Sequence, residues 1–346
     1  MGRRHGGDGA AVSARDAPTR VVADVDTGID DALALVWLAS KHRSGAIDLQ
    51  VTTSAGNTTA ALAARNSLEV LRVAGASDVP VVAGAQAPRV LPLTTTPETH
   101  GPEGLGYWTP HVLNVPDASD AATAVAAWRR AAPDHLLVAG PATNLAYAVE
   151  HAPEVLRGTQ VTLMCGAFTY PGNTTPTAEW NSWVDPHALS FALENWPEGA
   201  VPPVICPLNV TEQVLLTPER LEAMLAGFAG ELPDLLRDAL RFYFEFHESV
   251  GVGYLAQIHD LAAAMVMLGE VGADFRAATV AVEAESALLR GTTVADWMDG
   301  GAAGTEDTAV GPYWGRPANA RVLTGLDPDE VSARFASALT VTGTRR

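Results

Sequence analysis

From residue 21 onward, short apolar, β-branched runs alternate with stretches of helical periodicity, and few folds accommodate that order. Residues 21–25 precede a helical 30–41, and 47–53 precede 58–73, with 79–82 next; the pattern resumes with 135–139, 144–150, 160–165, 186–194 and 201–207. Strands that are apolar on both faces and separated by helices require a parallel sheet covered on both sides. We therefore expect an α/β fold with a doubly wound, mostly parallel central sheet flanked by helices. The stretch from about 217 to 268 reads as three helices and is expected to form a helical cap region. Residues 277–283 look like a strand, 290–317 like a β-hairpin or long loop, and 328–339 like a last helix. Residues 1–20 read as a disordered leader, and 21–346 as one domain without internal repeat or linker.

Charge removes several function classes. Forty acidic against 22 basic side chains leave a formal charge of −18, which suits neither the phosphates of nucleic acid nor an anionic membrane. No apolar run reaches the roughly 20 residues needed to span a bilayer, and the first 20 residues lack a secretory apolar stretch, so a cytoplasmic location is expected. Lys41 is the only lysine, which starves mechanisms needing a Schiff base or a phosphate-gripping lysine. Cys165 and Cys206 lie in separate apolar runs and read as two buried thiols.

The first apolar run ends in Asp24-Val25-Asp26-Thr27-Gly28-Ile29-Asp30-Asp31, four carboxylates in eight residues. The carboxyl edge of an open α/β sheet is where ligands bind. Carboxylates this close repel one another unless a cation or protons offset them. A donor set of oxygens alone suits a hard ion, Ca²⁺ or Mg²⁺. Helix capping by Asp30 or Asp31 accounts for one aspartate, not four. The Asp-Val-Asp-Thr opening is also similar to that of haloacid-dehalogenase-type phosphatases, but these need a lysine from later in the chain, and Lys41 lies at the end of the first helix.

Two further groups carry polar chemistry. Asn173, Glu179 and Asn181 on the loop after residues 160–165, followed by Asp185, can hydrogen-bond a polyol. His259-Asp260 heads a short helix, with Asp260 expected as its N-cap and His259 able to exchange a proton near neutral pH. His100 stands on a glycine-rich loop that could close over a ligand. Tyr243 and His247, four apart on one helical face, could reach a bound ligand, with core packing the other reading for Tyr243; Tyr107 and Trp108 are candidates for stacking on a ligand ring, and Trp180 for packing beside the loop.

Taken in order, the Asp26 to Asp31 cluster, Gly56-Asn57, His100-Gly101, Gly140-Pro141-Ala142-Thr143-Asn144, Met164, the 172–181 loop and His259-Asp260 resemble the inosine-uridine preferring nucleoside hydrolases over residues 21 to beyond 265. Thr27 stands where that family carries proline, and nothing after Glu283 is diagnostic. The resemblance implies a Ca²⁺ held by Asp26, Asp31, the main-chain carbonyl of Ala139 and Asp260. It also implies Asp26 as acceptor of the water's proton, and Asp30, Asn57, Met164, Asn173, Glu179 and Asn181 as the ribose grip. His259 would protonate the departing base. The implied activity is hydrolysis of ribonucleosides to ribose and free base in purine and pyrimidine salvage, by a homodimer or homotetramer. A hydrolase of a modified nucleoside, or a catalytically silent nucleoside-binding protein, are the alternatives. A silent binder should show a broken Asp26, Asp31, Asn181 or Asp260, and all four are intact.

Overall fold

The computed structural model describes residues 17–112, 119–298 and 315–342, and the backbone of 344–345. Its centre is a nine-stranded sheet. The strands are β1 (Thr19–Val25), β2 (Ile47–Thr53), β3 (Val81–Ala83), β4 (His135–Val138), β5 (Gln160–Met164), β6 (Val204–Cys206), β7 (Ala273–Val282), β8 (Thr293–Asp296) and β9 (Ala320–Leu326). Their spatial order is β8-β7-β9-β6-β5-β4-β1-β2-β3. Every pairing is parallel except those of β7, which runs antiparallel to β8 and β9. The sheet is thus mostly parallel, as its double-sided apolar strands require. Within it the run β3-β2-β1-β4-β5-β6 reverses direction of progress between β1 and β4. Such a switch point splays the loops leaving the two strands and opens a crevice at their carboxyl ends.

Side-chain alternation along β1 divides the core. Val21, Ala23 and Val25 face one hydrophobic cluster, with the helix Ile29–Arg43, while Val22 faces the other with Trp128, Leu136 and Val138. The Ile29–Arg43 helix is buried at every position from Ile29 to Ser40, which explains why it is apolar all round. It packs against the helices Ala60–Val73, Asp260–Met267 and Pro328–Thr342. Ala262, Ala263 and Ala264, all fully buried, let the second of these approach closely. That central position holds the N-termini of two aspartate-bearing helices side by side.

The three helices between residues 217 and 268 take different places. Glu231–Ser249 turns Leu232, Leu235, Leu236, Ala239, Leu240, Tyr243 and His247 inward and packs on the short helix Pro97–His100. Asp260–Met267 is buried throughout and lies against β4, β5 and the first helix, inside the layer that covers the sheet. Pro218–Leu225 lies beside Glu231–Ser249.

Of the expected leader, residues 1–16 lie outside the described residues. Thr19 and Arg20 open β1, where Arg20 pairs with Asp134 at 2.7 Å. The expected hairpin at 290–317 exists in part: β8 pairs with β7, and 299–314 lie outside the described residues. Among the longer described elements, the helix Ala121–Ala131, capped by Asp120, and β9 escape the periodic reading, as do short helices such as Pro97–His100 and Leu208–Thr211. Both cysteines are free and buried. Among the described residues no helix is long and apolar enough to cross a membrane.

Candidate active site

The crevice at the β1/β4 switch point is a cavity of about 620 Å³. Asp30, Asn57, His100, Ala139, Met164, Asn173, Glu179, Asn181, Tyr243, His247, His259 and Asp260 all line it. Elements far apart in the chain therefore deliver these expected residues to one place; Asp26 and Asp31 are not in the lining, and Asp31 is tied to it through its grouping with Asp30 and Asp260.

Its floor is acidic. Carboxylate oxygens of Asp30, Asp31 and Asp260 lie within 4.8 Å of one another, and all three residues are buried. Asp31 closes half of a helix cap, its Oδ2 accepting from the N–H of Gly28 at 2.8 Å, while its Oδ1 is buried without a partner. The capping role considered for this residue is thus real and occupies one oxygen. Asp260 is the first residue of its helix, not the N-cap that the sequence suggested. His259 takes the cap position in helical backbone geometry, so the Asp260 carboxylate is released toward Asp30. Asp26, just past β1, accepts from Asn57 N–H at 2.7 Å and from Asn57 Nδ2 at 3.1 Å. Gly56 makes this possible, because a Cβ there would come 2.0 Å from Asp26 Oδ2.

Asp24 corrects the four-carboxylate reading. It is inside β1, where its Oδ1 accepts from Thr52 Oγ1 at 2.6 Å and Asn144 Nδ2 at 2.9 Å while its Oδ2 is buried without a partner, and it stands outside the group of Asp30, Asp31 and Asp260. Sequence proximity placed it with the others, whereas neighbours on β2 and on the helix after β4 claim it. Asp24→Ala should therefore cost about 1–3 kcal/mol of stability through the orphaned donors and leave cation affinity within a few-fold. Denaturant unfolding and calorimetry would check this; loss of cation binding without loss of stability would return Asp24 to the cluster.

Burial raises the pKa of each carboxyl: Asp24 and Asp30 to about 6, and Asp26, Asp31 and Asp260 well above the usual range as the neighbouring charges add repulsion. Three observations fit these residues to a hard divalent cation. The donors are all oxygen, mutual repulsion favours a positive guest, and Asp31 Oδ1 has a lone pair with nothing to meet. Ala139 lines the same cavity as Asp30 and Asp260, and its carbonyl accepts from Asn181 Nδ2 at 3.2 Å.

The walls are amide and imidazole. Asn181 Nδ2 also donates to the Met164 carbonyl at 3.0 Å, leaving its Oδ1 buried and unpartnered. Glu179 caps the helix Trp180–Val184 and accepts four bonds, from the N–H groups of Gly166, Asn181 and Ser182 and from the Ser182 hydroxyl. Asn173 Oδ1 accepts from Trp180 N–H at 3.0 Å. His100 Nδ1 accepts from Ile29 N–H at 3.1 Å, and since an amide only donates, the ring proton is on Nε2. His100 so caps the first helix from a loop pinned by Gly106, whose φ is 58° and whose Cα side abuts Ala239. His259 Nδ1 meets Thr211 Oγ1 at 2.9 Å, and His247 Nδ1 donates to the Tyr243 carbonyl at 2.8 Å. Burial pushes His100 and His259 down to about 3, so both rings are neutral at pH 7.

Tyr107 and Trp108 do not line the cavity, contrary to the stacking role considered for them. The Gly106 turn sends Tyr107 to the surface against Phe242, and Trp108 Nε1 donates to Glu69 at 3.1 Å. Trp180 lines the cavity and stacks on Trp183. Lys41 pairs with Glu270 at 2.6 Å, away from the cavity, and so cannot serve the phosphatase chemistry. Glu98, Tyr170, Glu212, Phe246, Val252 and Gln257 also line the cavity. The motif reading missed them because nothing in their local spacing marks them.

These features define the class: an α/β protein whose strand-end crevice can hold a polyhydroxylated ligand against a hard cation. The family profile described as inosine-uridine preferring nucleoside hydrolase matches residues 21–333, and the chain belongs to that family. Membership makes it an enzyme of the N-glycosyl hydrolase class. It is 32% identical over 311 residues to a pyrimidine-specific ribonucleoside hydrolase of Shewanella sp. strain ANA-3, covering 89% of this chain and 92% of that one. It is 32% identical over 319 residues to a non-specific ribonucleoside hydrolase of Salmonella newport strain SL254, covering 90% and 95%. Among solved structures, a plant nucleoside hydrolase superposes with a TM-score of 0.79 at 27% identity, over 93% of this chain and 99% of that one. A purine-preferring ribonucleoside hydrolase from Gardnerella vaginalis shares the fold, with a TM-score of 0.75 at 24% identity over 92% and 98%.

Proposed function

We propose that this enzyme hydrolyses the N-glycosidic bond of ribonucleosides, giving ribose and free base, with a Ca²⁺ held by Asp26, Asp31, the Ala139 carbonyl and Asp260. The observation that carries the reading is the convergence of buried carboxylates with an unpartnered Asp31 Oδ1, on the floor of a cavity whose wall bears His259. When bound, the ion supplies positive charge and Lewis acidity at the ribose diol and the attacking water.

The chain's own groups account for the rest of the chemistry. As the C1′–N bond breaks, its electron pair leaves with the base and positive charge grows on the ribosyl ring. Asp30 and the carboxylates below it stabilise that charge. Asp26 takes the proton of the water that bonds to C1′, its orientation held by both nitrogens of Asn57. Asn57, Asn173 and Asn181 bind the ribose hydroxyls, with Asn181 Oδ1 as a waiting acceptor, while Met164 packs on the ring and Glu179 fixes the loop that presents Asn181. The hydrogen bond between Thr211 Oγ1 and His259 Nδ1 orients the ring and leaves Nε2 as the nitrogen that meets the departing base. Tyr243, His247 and His100 close the base side. Cytoplasmic salvage by a homodimer or homotetramer belongs to the same proposal.

Deoxyribonucleosides should be poor substrates. The 2′-hydroxyl is the partner for groups that otherwise stay buried and unpaired, and a site built to hydrogen-bond a hydroxyl rejects the analogue lacking it. A kcat/KM penalty above about tenfold is expected. Release of ribose or deoxyribose from a nucleoside panel at equal concentration tests both points; equal values for a ribonucleoside and its 2′-deoxy form would contradict the diol grip.

A further inference from the structure

One short segment holds three parts of the cavity wall. In the turn Leu208–Thr211 and the residue after it, Asn209 clamps Phe168, accepting from its N–H at 2.9 Å and donating to its carbonyl at 2.6 Å. Thr211 holds His259 at 2.9 Å, and Glu212 Oε2 accepts the Tyr170 hydroxyl at 2.7 Å. Between Phe168 and Tyr170, Thr169 has a φ of 53°. A β-branched residue in the left-handed region is strained, and such strain persists only where surrounding contacts impose it. Here the Asn209 clamp and the Tyr170–Glu212 bond are those contacts.

Among the described residues Glu212 makes no ion pair. It is half-buried, no lysine or arginine lines the cavity, and among the described residues the only hydrogen bond to its carboxylate comes from Tyr170. Burial raises its pKa while the Tyr170 bond opposes the rise. The second carboxylate oxygen has no protein partner among the described residues and faces the open cavity, so it is available to an N–H donor of a bound ligand. Glu212 lines the same cavity as Tyr243, His247 and His259, the residues assigned above to the base side. Phe246 and Val252 supply the apolar surface there.

We propose that Glu212, held by Tyr170, determines base specificity by accepting the N–H of an exocyclic amino group and repelling a keto oxygen in the same place. The inference rests on the hydrolase reading above. Carboxylates pair with the cytosine amino group in this way, and discrimination comes as much from the repelled partner as from the accepted one. Inosine and uridine, named in the family's description, carry the keto oxygen, whereas adenosine and cytidine carry the amino group. Inosine and uridine also carry a ring N–H beside that oxygen, so it is a Glu212 facing the exocyclic position that sets this chain toward the amino member of each pair.

The test compares kcat/KM for cytidine against uridine and adenosine against inosine, on the wild type, Glu212→Gln and Tyr170→Phe. The amino member should be favoured by about tenfold or more in the wild type. The ratio should fall toward one in Glu212→Gln, whose amide can donate to a keto oxygen, and be reduced in Tyr170→Phe. Each reading is a ratio on a single protein, so a general loss of activity cancels. Equal rates in the wild type, or an undiminished ratio in Glu212→Gln, would overturn the inference. Failure to release sugar from any nucleoside would overturn the hydrolase reading instead. The same pairs would then be compared by calorimetric Kd, with the same margin deciding for or against Glu212.

Discussion

Asp31→Ala is expected to yield a folded protein that no longer retains a divalent cation and turns over ribonucleosides at least about a thousandfold more slowly. Asp31, grouped with Asp30 and Asp260, has one oxygen engaged by the helix cap and the other unpartnered, so its removal deletes the donor best placed for an ion. The fold should survive, because taking one charge from a group of mutually repelling buried carboxylates relieves repulsion as it removes the Gly28 cap. Asn57 Nδ2, which also donates to Asp31 at 3.2 Å, retains Asp26 as acceptor. Elemental analysis, thermal unfolding and sugar release on the same preparation give the three readings. Full turnover by wild-type protein shown to contain no divalent metal would sink the cation's role.

His259→Ala should slow hydrolysis of a natural ribonucleoside by roughly 10² to 10⁴, the usual worth of a positioned proton donor. The effect on p-nitrophenyl riboside should be far smaller, since its leaving group departs without a proton. His259 is held by Thr211 through Nδ1, so Nε2 is the nitrogen that faces the base, and a proton there is a hydrogen-bond donor whose strength grows as negative charge develops on the base. If both substrates lost activity equally in a variant that still binds the cation, His259 would be structural. His247, on the same cavity wall, would be the next residue to test.

The sheet and the first cluster were readable along the chain for a simple reason. Strand-length runs such as residues 21–25 and 47–53, apolar on both faces, can be covered only by a parallel sheet with helices on both sides, so local pattern and global fold carry the same information. The helix Ala121–Ala131 was passed over because it lies beyond a loop-rich stretch, and β9 because it follows a long Gly- and Thr-rich segment that masked its alternation. Asp26, Asp31 and Asp260 were recognisable as motif members, yet their meeting depends on two helices starting side by side at the switch point.

Contacts of that kind are absent from any local stretch of residues. Whether Asp24 joins the cluster depends on Thr52 and Asn144, which come from other elements and claim its carboxylate. Whether Tyr107 faces a ligand depends on how closely the Gly106 turn approaches Ala239, and Glu212 became a wall residue only through Tyr170, reached across a strained Thr169. Periodicity and residue type therefore determined the sheet, its covering helices and the chemical character of the floor, because hydrophobic burial and charge repulsion act on types of residue. Tertiary packing decided which oxygen stays unpartnered, which histidine nitrogen bears the proton and which carboxylate faces the base side, because hydrogen bonds depend on positions of individual atoms that residues distant in the chain supply.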